Sequence, residues 1–202
     1  MLISFEGIDG CGKSTQIELL KKWFENKGVE YSVFREPGGT DISERIRALL
    51  LHETDEMDPV TELLLFSAAR SQLIREKVIP LLKQNRIVIL DRFFDSTTAY
   101  QGYGRGSADL KSIQNLNHLA THQVKPDLTF YLKISPDEAE NRTSAVDKDR
   151  IENAGSAFFK KVASGYDQLA QSETRFHTLD AALPAEEIHE QIKQIIQTRL
   201  QS

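Results

Sequence analysis

Gly7-Ile8-Asp9-Gly10-Cys11-Gly12-Lys13-Ser14 fits the pattern G-x-x-x-x-G-K-[ST], and its flanks decide the fold. Before it runs the apolar stretch Leu2 to Phe5; after it Ile17, Leu20 and Phe24 recur at helical spacing. A strand that turns through glycines into a helix lets consecutive backbone N–H groups curl around phosphate oxygens, and the helix start adds its own unsatisfied donors. Lys13 is then placed to reach β and γ phosphates, and the Ser14 hydroxyl to hold Mg²⁺. The candidate ATP site is accordingly Gly7, Ile8, Asp9, Gly10, Cys11, Gly12, Lys13, Ser14 and Thr15. A plain glycine-rich turn is the bland alternative, which the flanking strand and helix disfavour. The dinucleotide fingerprint G-x-G-x-x-G is absent.

Outward from the loop, strand and helix signals alternate along the chain. Strands are expected at Leu2 to Phe5, Val29 to Phe34, Arg86 to Leu90, Asp127 to Ile134 and Arg175 to Leu179. Helices are expected from Lys13 to Lys27 with Gly28 as C-cap, from about Pro59 to Leu82 with a kink or early end at Pro80, from Asp109 to about Val124, from Ser156 to Ala170, and from Pro184 to near Leu200. Nearly unbroken apolar strands separated by helices call for a parallel sheet covered on both faces. Residues 1–202 read as one α/β domain, with the polar, densely charged stretch Asp137 to Asn153 as a mobile flap.

Composition removes several function classes. A net charge of -5 lacks the broad basic footprint of a nucleic-acid binder, so no nucleic-acid partner is expected and any phosphate site is local. One cysteine, Cys11, excludes an internal disulfide and a cysteine-rich zinc cage. The apolar run at Leu2 to Phe5 is too short for a signal peptide or a membrane span, and Glu6 cuts it off; the protein reads as cytoplasmic, without a membrane partner.

The loop leaves the phosphoryl acceptor open. Asp91 ends the apolar run Arg86 to Leu90 beside the loop, at the strand end where open α/β sheets bind ligands, so it is a candidate Mg²⁺ ligand as well as an ordinary turn former. Arg35, Arg47, Arg70 and Arg92 fall near the same rim. Guanidiniums there offer forked donors for phosphate, or they are surface ion pairs. Phe66 and Arg70, four apart, share a helix face on which a ring stacks a base and a guanidinium reads its edge; Phe66 reads equally as core. Asp95 to Gly106 is polar, aromatic and glycine-containing, and is expected as a flexible wall of the acceptor pocket. A GTPase is disfavoured, because the only Asn-Lys, Asn26-Lys27, continues as Gly28-Val29. A non-enzymatic nucleotide-binding module does not explain the arginines, and a deoxynucleoside kinase would leave Arg35, Arg47 and Arg92 without a phosphate.

The stretches Phe5 to Gln16, Arg35-Glu36-Pro37-Gly38-Gly39-Thr40, Phe66-Ser67-Ala68-Ala69-Arg70, Asp91-Arg92-Phe93, Ala99 to Gly106 and Pro126 to Leu132 together resemble the thymidylate kinase family, bacterial type, over essentially the whole chain. The resemblance implies a three-layer P-loop kinase fold with a five-stranded parallel sheet in the order 2-3-1-4-5, a homodimer, Mg²⁺, and transfer of the γ-phosphoryl of ATP to dTMP in dTTP biosynthesis. By the same resemblance Phe66 stacks on thymine, Arg70 and Gln101 read its edge with Thr97 nearby, and Arg35, Arg47 and Arg92 hold the dTMP phosphate. Asp9 and Tyr100 flank the deoxyribose, and Glu36 lies beside the acceptor phosphate and a metal-bound water.

The family's bacterial branch carries its additional arginines in the lid rather than in the phosphate loop, and here Ile8, Asp9, Gly10 and Cys11 include none. The lid stretch Glu140 to Glu152 looks slightly shorter than the family's form, with Ser144 and Val146 where arginines are common. Arg142, Arg150 and Lys148 are the cations it offers, in that order of fitness for a transferring phosphoryl group; Arg150 has an alternative surface pairing with Glu152. Lys13, Asp91, Arg92, Arg142 and Arg150 make up the candidate catalytic set.

Overall fold

The computed structural model describes residues 1–53, 56–144 and 149–201. Five strands, β1 (Leu2–Glu6), β2 (Tyr31–Arg35), β3 (Ile87–Asp91), β4 (Leu128–Lys133) and β5 (Phe176–Asp180), form a sheet in the order β2-β3-β1-β4-β5. All neighbouring pairs are parallel. Both the order and the strand positions match the sequence expectation, each boundary to within two residues.

The pleat sorts the core. On one face of the sheet Tyr166 of α8 (Ser156–Ser172) stacks on Tyr131 and donates to Glu6. On the other, Ile3, Phe5, Ile87 and Ile89 pack with Ile17, Leu20 and Phe24 of α1 (Lys13–Asn26) and with Ile192 and Ile196 of α9 (Ala185–Gln201). Their alternates Leu2, Val88 and Leu90 pack with Leu73, Ile74 and Val78. Successive side chains bury on opposite faces, which is why these strands read as continuous apolar runs. Each fully buried side chain of this kind, Phe24 for example, contributes roughly 1.5–3 kcal/mol. At the end of α1, Gly28 has φ 65° and Val29 N–H reaches back to Phe24 O at 3.0 Å, the glycine-terminated stop expected there.

The long helical stretch begins where expected: Asp58 caps α3 (Pro59–Leu73) by accepting from Val60 and Thr61 N–H at 3.0 Å each. It does not end at Pro80. A π-helical stretch, Ile74–Val78, resets the hydrogen-bond register just ahead of the proline, and α4 (Ile79–Lys83) carries on past it. The glycine stretch 95–106 is a second departure. It is helical, with α5 (Phe94–Thr97) followed by a π-helical turn, Thr98–Gly104, whose residues Ala99 to Gly102 are buried. Glycine here gives room rather than flexibility: a Cβ on Gly104 would lie 2.5 Å from Phe158 and 2.9 Å from Val162 of α8.

Three shorter helices complete the frame around the sheet ends: α2 (Asp41–Ala48), capped by Thr40; α6 (Leu110–Ala120), capped by Asp109; and α7 (Pro136–Thr143), capped by Ser135. The expected flap thus begins as helix α7 and ends in a short 3-10 turn, Glu152–Ala154. The readings at Val146 and Lys148 lie outside the described residues. Among the described residues no helix is long and apolar enough to cross a membrane.

Candidate active site

The phosphate loop hangs between β1 and α1 on glycines in backbone conformations that other residues rarely adopt. Gly7 has φ 135°, and a Cβ there would lie 2.6 Å from Leu132 O. Gly12, at φ 95°, starts α1 in a left-handed conformation with no side-chain cap. Gln16 N–H bonds to Gly12 O at 3.1 Å, so the amides of Lys13, Ser14 and Thr15 precede the helical ladder and face outward as donors. The buried Lys13 ammonium donates to Gly7 O at 3.1 Å and Ile8 O at 3.2 Å.

A cavity of about 410 Å³ opens in front of this loop, lined by Asp9, Gly10 and Gly12 to Thr15 together with Arg35, Glu36, Arg47, Asp91, Arg92 and Arg142. Register brings Asp91 in, since β3 pairs Asp91 with Phe5 and with Arg35. Its Oδ1 is buried without a hydrogen-bond partner among the described residues. Arg47 donates to Pro37 O at 3.0 Å, and Arg35 reaches Glu44 at 3.3 Å on the surface. Burial, and then repulsion from Arg35, shift the Arg47 guanidinium downward.

Arg92 knits the loop to its surroundings. Its φ of 69° is left-handed, a conformation costing on the order of 1–2 kcal/mol for a residue with a Cβ. The next amide, Phe93 N–H, is held by Glu6 Oε1 at 2.8 Å. So turned, the guanidinium donates to Gly7 O at 2.9 Å, Asp9 Oδ1 at 2.6 Å and Tyr100 Oη at 3.1 Å. Burial alone would raise the Asp9 carboxyl, but Arg92 and Lys13 outweigh it and hold Asp9 at about 2.

A second cavity, about 160 Å³, adjoins the first through Asp9, Glu36, Arg47 and Arg92, and extends past Phe66, Arg70, Thr97, Tyr100 and Gln101 to Asp149, Ile151 and Glu152. Phe66 is half-buried, and it both lines this cavity and packs against the core. Arg70 is 2% exposed, and its donors go to Glu36 Oε2 at 2.7 Å, Thr97 Oγ1 at 2.9 Å and Phe93 O at 3.2 Å. Burial raises the Glu36 carboxyl, Arg70 works against that rise, and Glu36 Oε1 is buried without a partner among the described residues.

The family model for thymidylate kinase matches residues 5–192, a span that holds every residue lining these two cavities. The chain belongs to the thymidylate kinase family. It is 44% identical to the thymidylate kinase of Prosthecochloris aestuarii, covering 98% of this chain and 94% of that protein. With the thymidylate kinase of Kosmotoga olearia the identity is 46%, over 95% and 93% of the two chains. The crystal structure of thymidylate kinase from Ehrlichia chaffeensis superposes with a TM-score of 0.78 at 35% identity, over 98% of both chains.

In this thymidylate kinase fold the two arginines expected in a lid separate. Arg142 lines the phosphate-loop cavity from the last turn of α7, donating to Ala181 O at 3.0 Å and Glu138 Oε1 at 2.7 Å. Arg150 is turned away from it. Arg150 Nε donates to Leu50 O at 2.9 Å, and its guanidinium pairs with Glu62 at 2.6 Å rather than with Glu152.

Two buried acids escaped the sequence reading. Glu6, read there only as the end of an apolar run, is wholly buried and accepts from Phe93 N–H, Ser96 Oγ at 2.6 Å and Tyr166 Oη at 2.9 Å. Burial, reinforced by Asp95, pushes its carboxyl up to about 7. Glu62, 1% exposed on α3, lies behind Gln101. Neither has a local signal, because both pair with residues far away in sequence.

Proposed function

We propose that this chain transfers the terminal phosphoryl group of ATP to dTMP, giving dTDP and ADP. The observation that carries this reading is the joining of a phosphate-loop cavity to an aromatic, polar cavity across a rim of arginines. A hydroxyl acceptor would not call for Arg35, Arg47 and Arg92 at that junction, whereas a phosphate monoester would.

The chemistry is positioning and charge neutralisation. The acceptor phosphate is already an anion, so no strong general base is needed; two anions must be held in line against their repulsion. The loop amides and Lys13 take the ATP phosphates, while Arg35, Arg47 and Arg92 take that of dTMP. Lys13 and Arg92, flanking Asp9, supply positive charge where equatorial oxygen charge builds up. Phe66 offers a face for the base, with Arg70, Thr97 and Gln101 at its edge, and Asp9 and Tyr100 border the sugar.

Mg²⁺ fits the donors present. Asp91 Oδ1 is buried without a partner among the described residues, and Asp91 lines the same cavity as Ser14; one carboxylate with one hydroxyl would suit a cation that keeps most of its waters. Held by Asp91 and Ser14, such an ion would supply charge neutralisation for the ATP phosphates.

We read residues 1–202 as a single kinase domain in which 137–153 acts as a lid that keeps water from the transferring group. A cytoplasmic homodimer is part of the same proposal. Val60 and Leu64, one turn apart on α3, are 45% and 52% exposed, and Ile42 on the adjacent α2 is 53% exposed, apolar surface suited to a second copy. Sedimentation of the purified protein tests the dimer. ADP release measured with dTMP, dUMP, AMP, GMP and thymidine offered separately tests the activity: turnover with dTMP is expected, and thymidine as the preferred acceptor would overturn the reading.

A further inference from the structure

Glu62 is a buried acid that the reaction does not use. It sits in the first turn of α3, outside the residues lining the acceptor cavity, yet three side chains converge on it. Gln101 Nε2 donates to its Oε1 at 2.9 Å, Arg105 Nε approaches the same oxygen at 3.4 Å, and the Arg150 guanidinium lies 2.6 Å from Oε2. Arg105 is itself held over the Phe158 ring, 4.6 Å from its centroid.

This arrangement fixes the direction of an amide. Glu62 turns acceptor oxygens toward two guanidiniums and the Gln101 amide, so it is the NH₂ end of Gln101 that faces it. Gln101 is 2% exposed and lines the acceptor cavity, so the end it has to offer a ligand is its carbonyl oxygen. A carbonyl oxygen accepts from a ring N–H and repels a ring nitrogen lone pair. Pyrimidine-2,4-diones carry an N–H at ring position 3, whereas cytosine carries a lone pair there.

We propose that Glu62 is a specificity-determining positioning residue, which holds the Gln101 amide so that the site selects a pyrimidine-2,4-dione monophosphate over a cytosine monophosphate. The inference rests on the proposed function and adds the device that enforces base choice. A site built to bond a substrate N–H discriminates strongly against an analogue lacking it, because its own buried acceptor is then left unpaired. The Arg150 contact extends the device to the proposed lid segment.

The test uses the full-length enzyme with ATP and three acceptors, dTMP, dUMP and dCMP. In Glu62→Gln the new amide turns its carbonyl toward Arg150 and its NH₂ toward position 101, which drives the Gln101 amide over. The kcat/KM ratio of dTMP to dCMP is expected to fall at least tenfold, while the ratio of dTMP to dUMP, which share the N–H, stays within about twofold. The double variant E62Q/Q101E, which exchanges amide and carboxylate, again presents only acceptor oxygens and should restore preference for dTMP over dCMP. A purely structural role would lower all three acceptors in parallel. An unchanged dTMP to dCMP ratio in Glu62→Gln, or no recovery in the double variant, overturns the inference. Should the single variant not fold by circular dichroism, the double variant decides alone in the same way. A wild-type enzyme inactive on dTMP would overturn the proposed function as well; an active one whose ratio survives the substitution overturns this inference only.

Discussion

The Arg92 guanidinium meets the Asp9 carboxylate at 2.6 Å across the mouth of the phosphate loop, and Tyr100 Oη lies within 3.2 Å of both partners. Asp9→Asn removes the charge that orients Arg92, so kcat/KM for dTMP should fall about tenfold. Asp9 is held at about 2, below its ordinary 3.8. A depressed carboxylate stabilises the fold fully above its unfolded value and loses that contribution as pH falls through the folded one. The variant's melting-temperature deficit should therefore be present at neutral pH and shrink between about pH 4 and pH 2. Solvent at the one-third exposed side chain keeps the effect small. A deficit independent of pH would detach the pair from stability.

Lys13 is the buried cation of the loop, and its loss removes charge needed most in the transition state. Lys13→Ala should lower kcat by more than about 100-fold, with the circular dichroism of the wild type. Turnover within about tenfold of wild type would contradict the placing of ATP phosphates on this loop.

Arg70 gives up more than a base contact when it is removed. It is the guanidinium partner of Glu36, with side chains 2% and 3% exposed, so Arg70→Ala strands a buried carboxylate. Losing one member of such a pair costs about 3–5 kcal/mol, a fall of roughly 10 °C or more in melting temperature for a chain of this size. The dTMP KM should rise while the ATP KM changes little. Calorimetry and steady-state kinetics check the two arms separately; a variant with wild-type stability would show that Glu36 finds another partner.

What the chain order reveals, and what it hides, follows from the reach of each interaction. The phosphate loop, the five strands and the Gly28 stop are local patterns, set by neighbours a few residues apart, and all are legible. The arginine rim was readable too, because Arg35, Asp91 and Arg92 sit at or just beyond strand ends and the sheet order brings those ends together. Residues 95–106 misled because glycine signals freedom in isolation. Only the approach of Phe158 to Gly104 shows that the same residue type serves close packing. Glu6 and Glu62 were invisible for a related reason: their partners Tyr166, Gln101 and Arg150 lie tens of residues away, and no spacing rule links them.

The Glu6 carboxyl predicts a second pH dependence, of opposite sign. Burial and Asp95 raise it to about 7, above its ordinary 4.5. Between those values the folded state binds more protons than the unfolded, so this group's contribution to stability falls as pH rises. Glu6→Gln mimics the protonated acid and removes that slope. Melting temperatures of wild type and variant, compared from about pH 5 to pH 9, should show the variant gaining relative to wild type up to about pH 7 and then levelling. Parallel curves would mean that Glu6 does not titrate in this range.

The two arginines of the proposed lid should separate kinetically because their surroundings differ. Arg142 lines the phosphate-loop cavity on the last turn of α7, and its present partners, Glu138 one turn back and the Ala181 carbonyl, are held at a partly exposed surface. Exposed pairs of this kind are worth about 0–1 kcal/mol, so exchanging them for a phosphoryl group costs little. A cation recruited only as charge develops favours the transition state over the bound substrates, and its loss appears in kcat. Arg142→Ala should therefore lower kcat at least about tenfold with a near-normal dTMP KM. Arg150 instead pairs with the buried Glu62 behind Gln101 and donates to Leu50 O. Removing it loosens the support of the acceptor cavity, so Arg150→Ala should act mainly on the dTMP KM and lower kcat less than Arg142→Ala does. Saturation curves in dTMP at fixed high ATP give both constants at once. If Arg142→Ala retained full kcat while Arg150→Ala lost it, the roles would be exchanged, and the lid would have to close with its far end, not α7, over the transferring group.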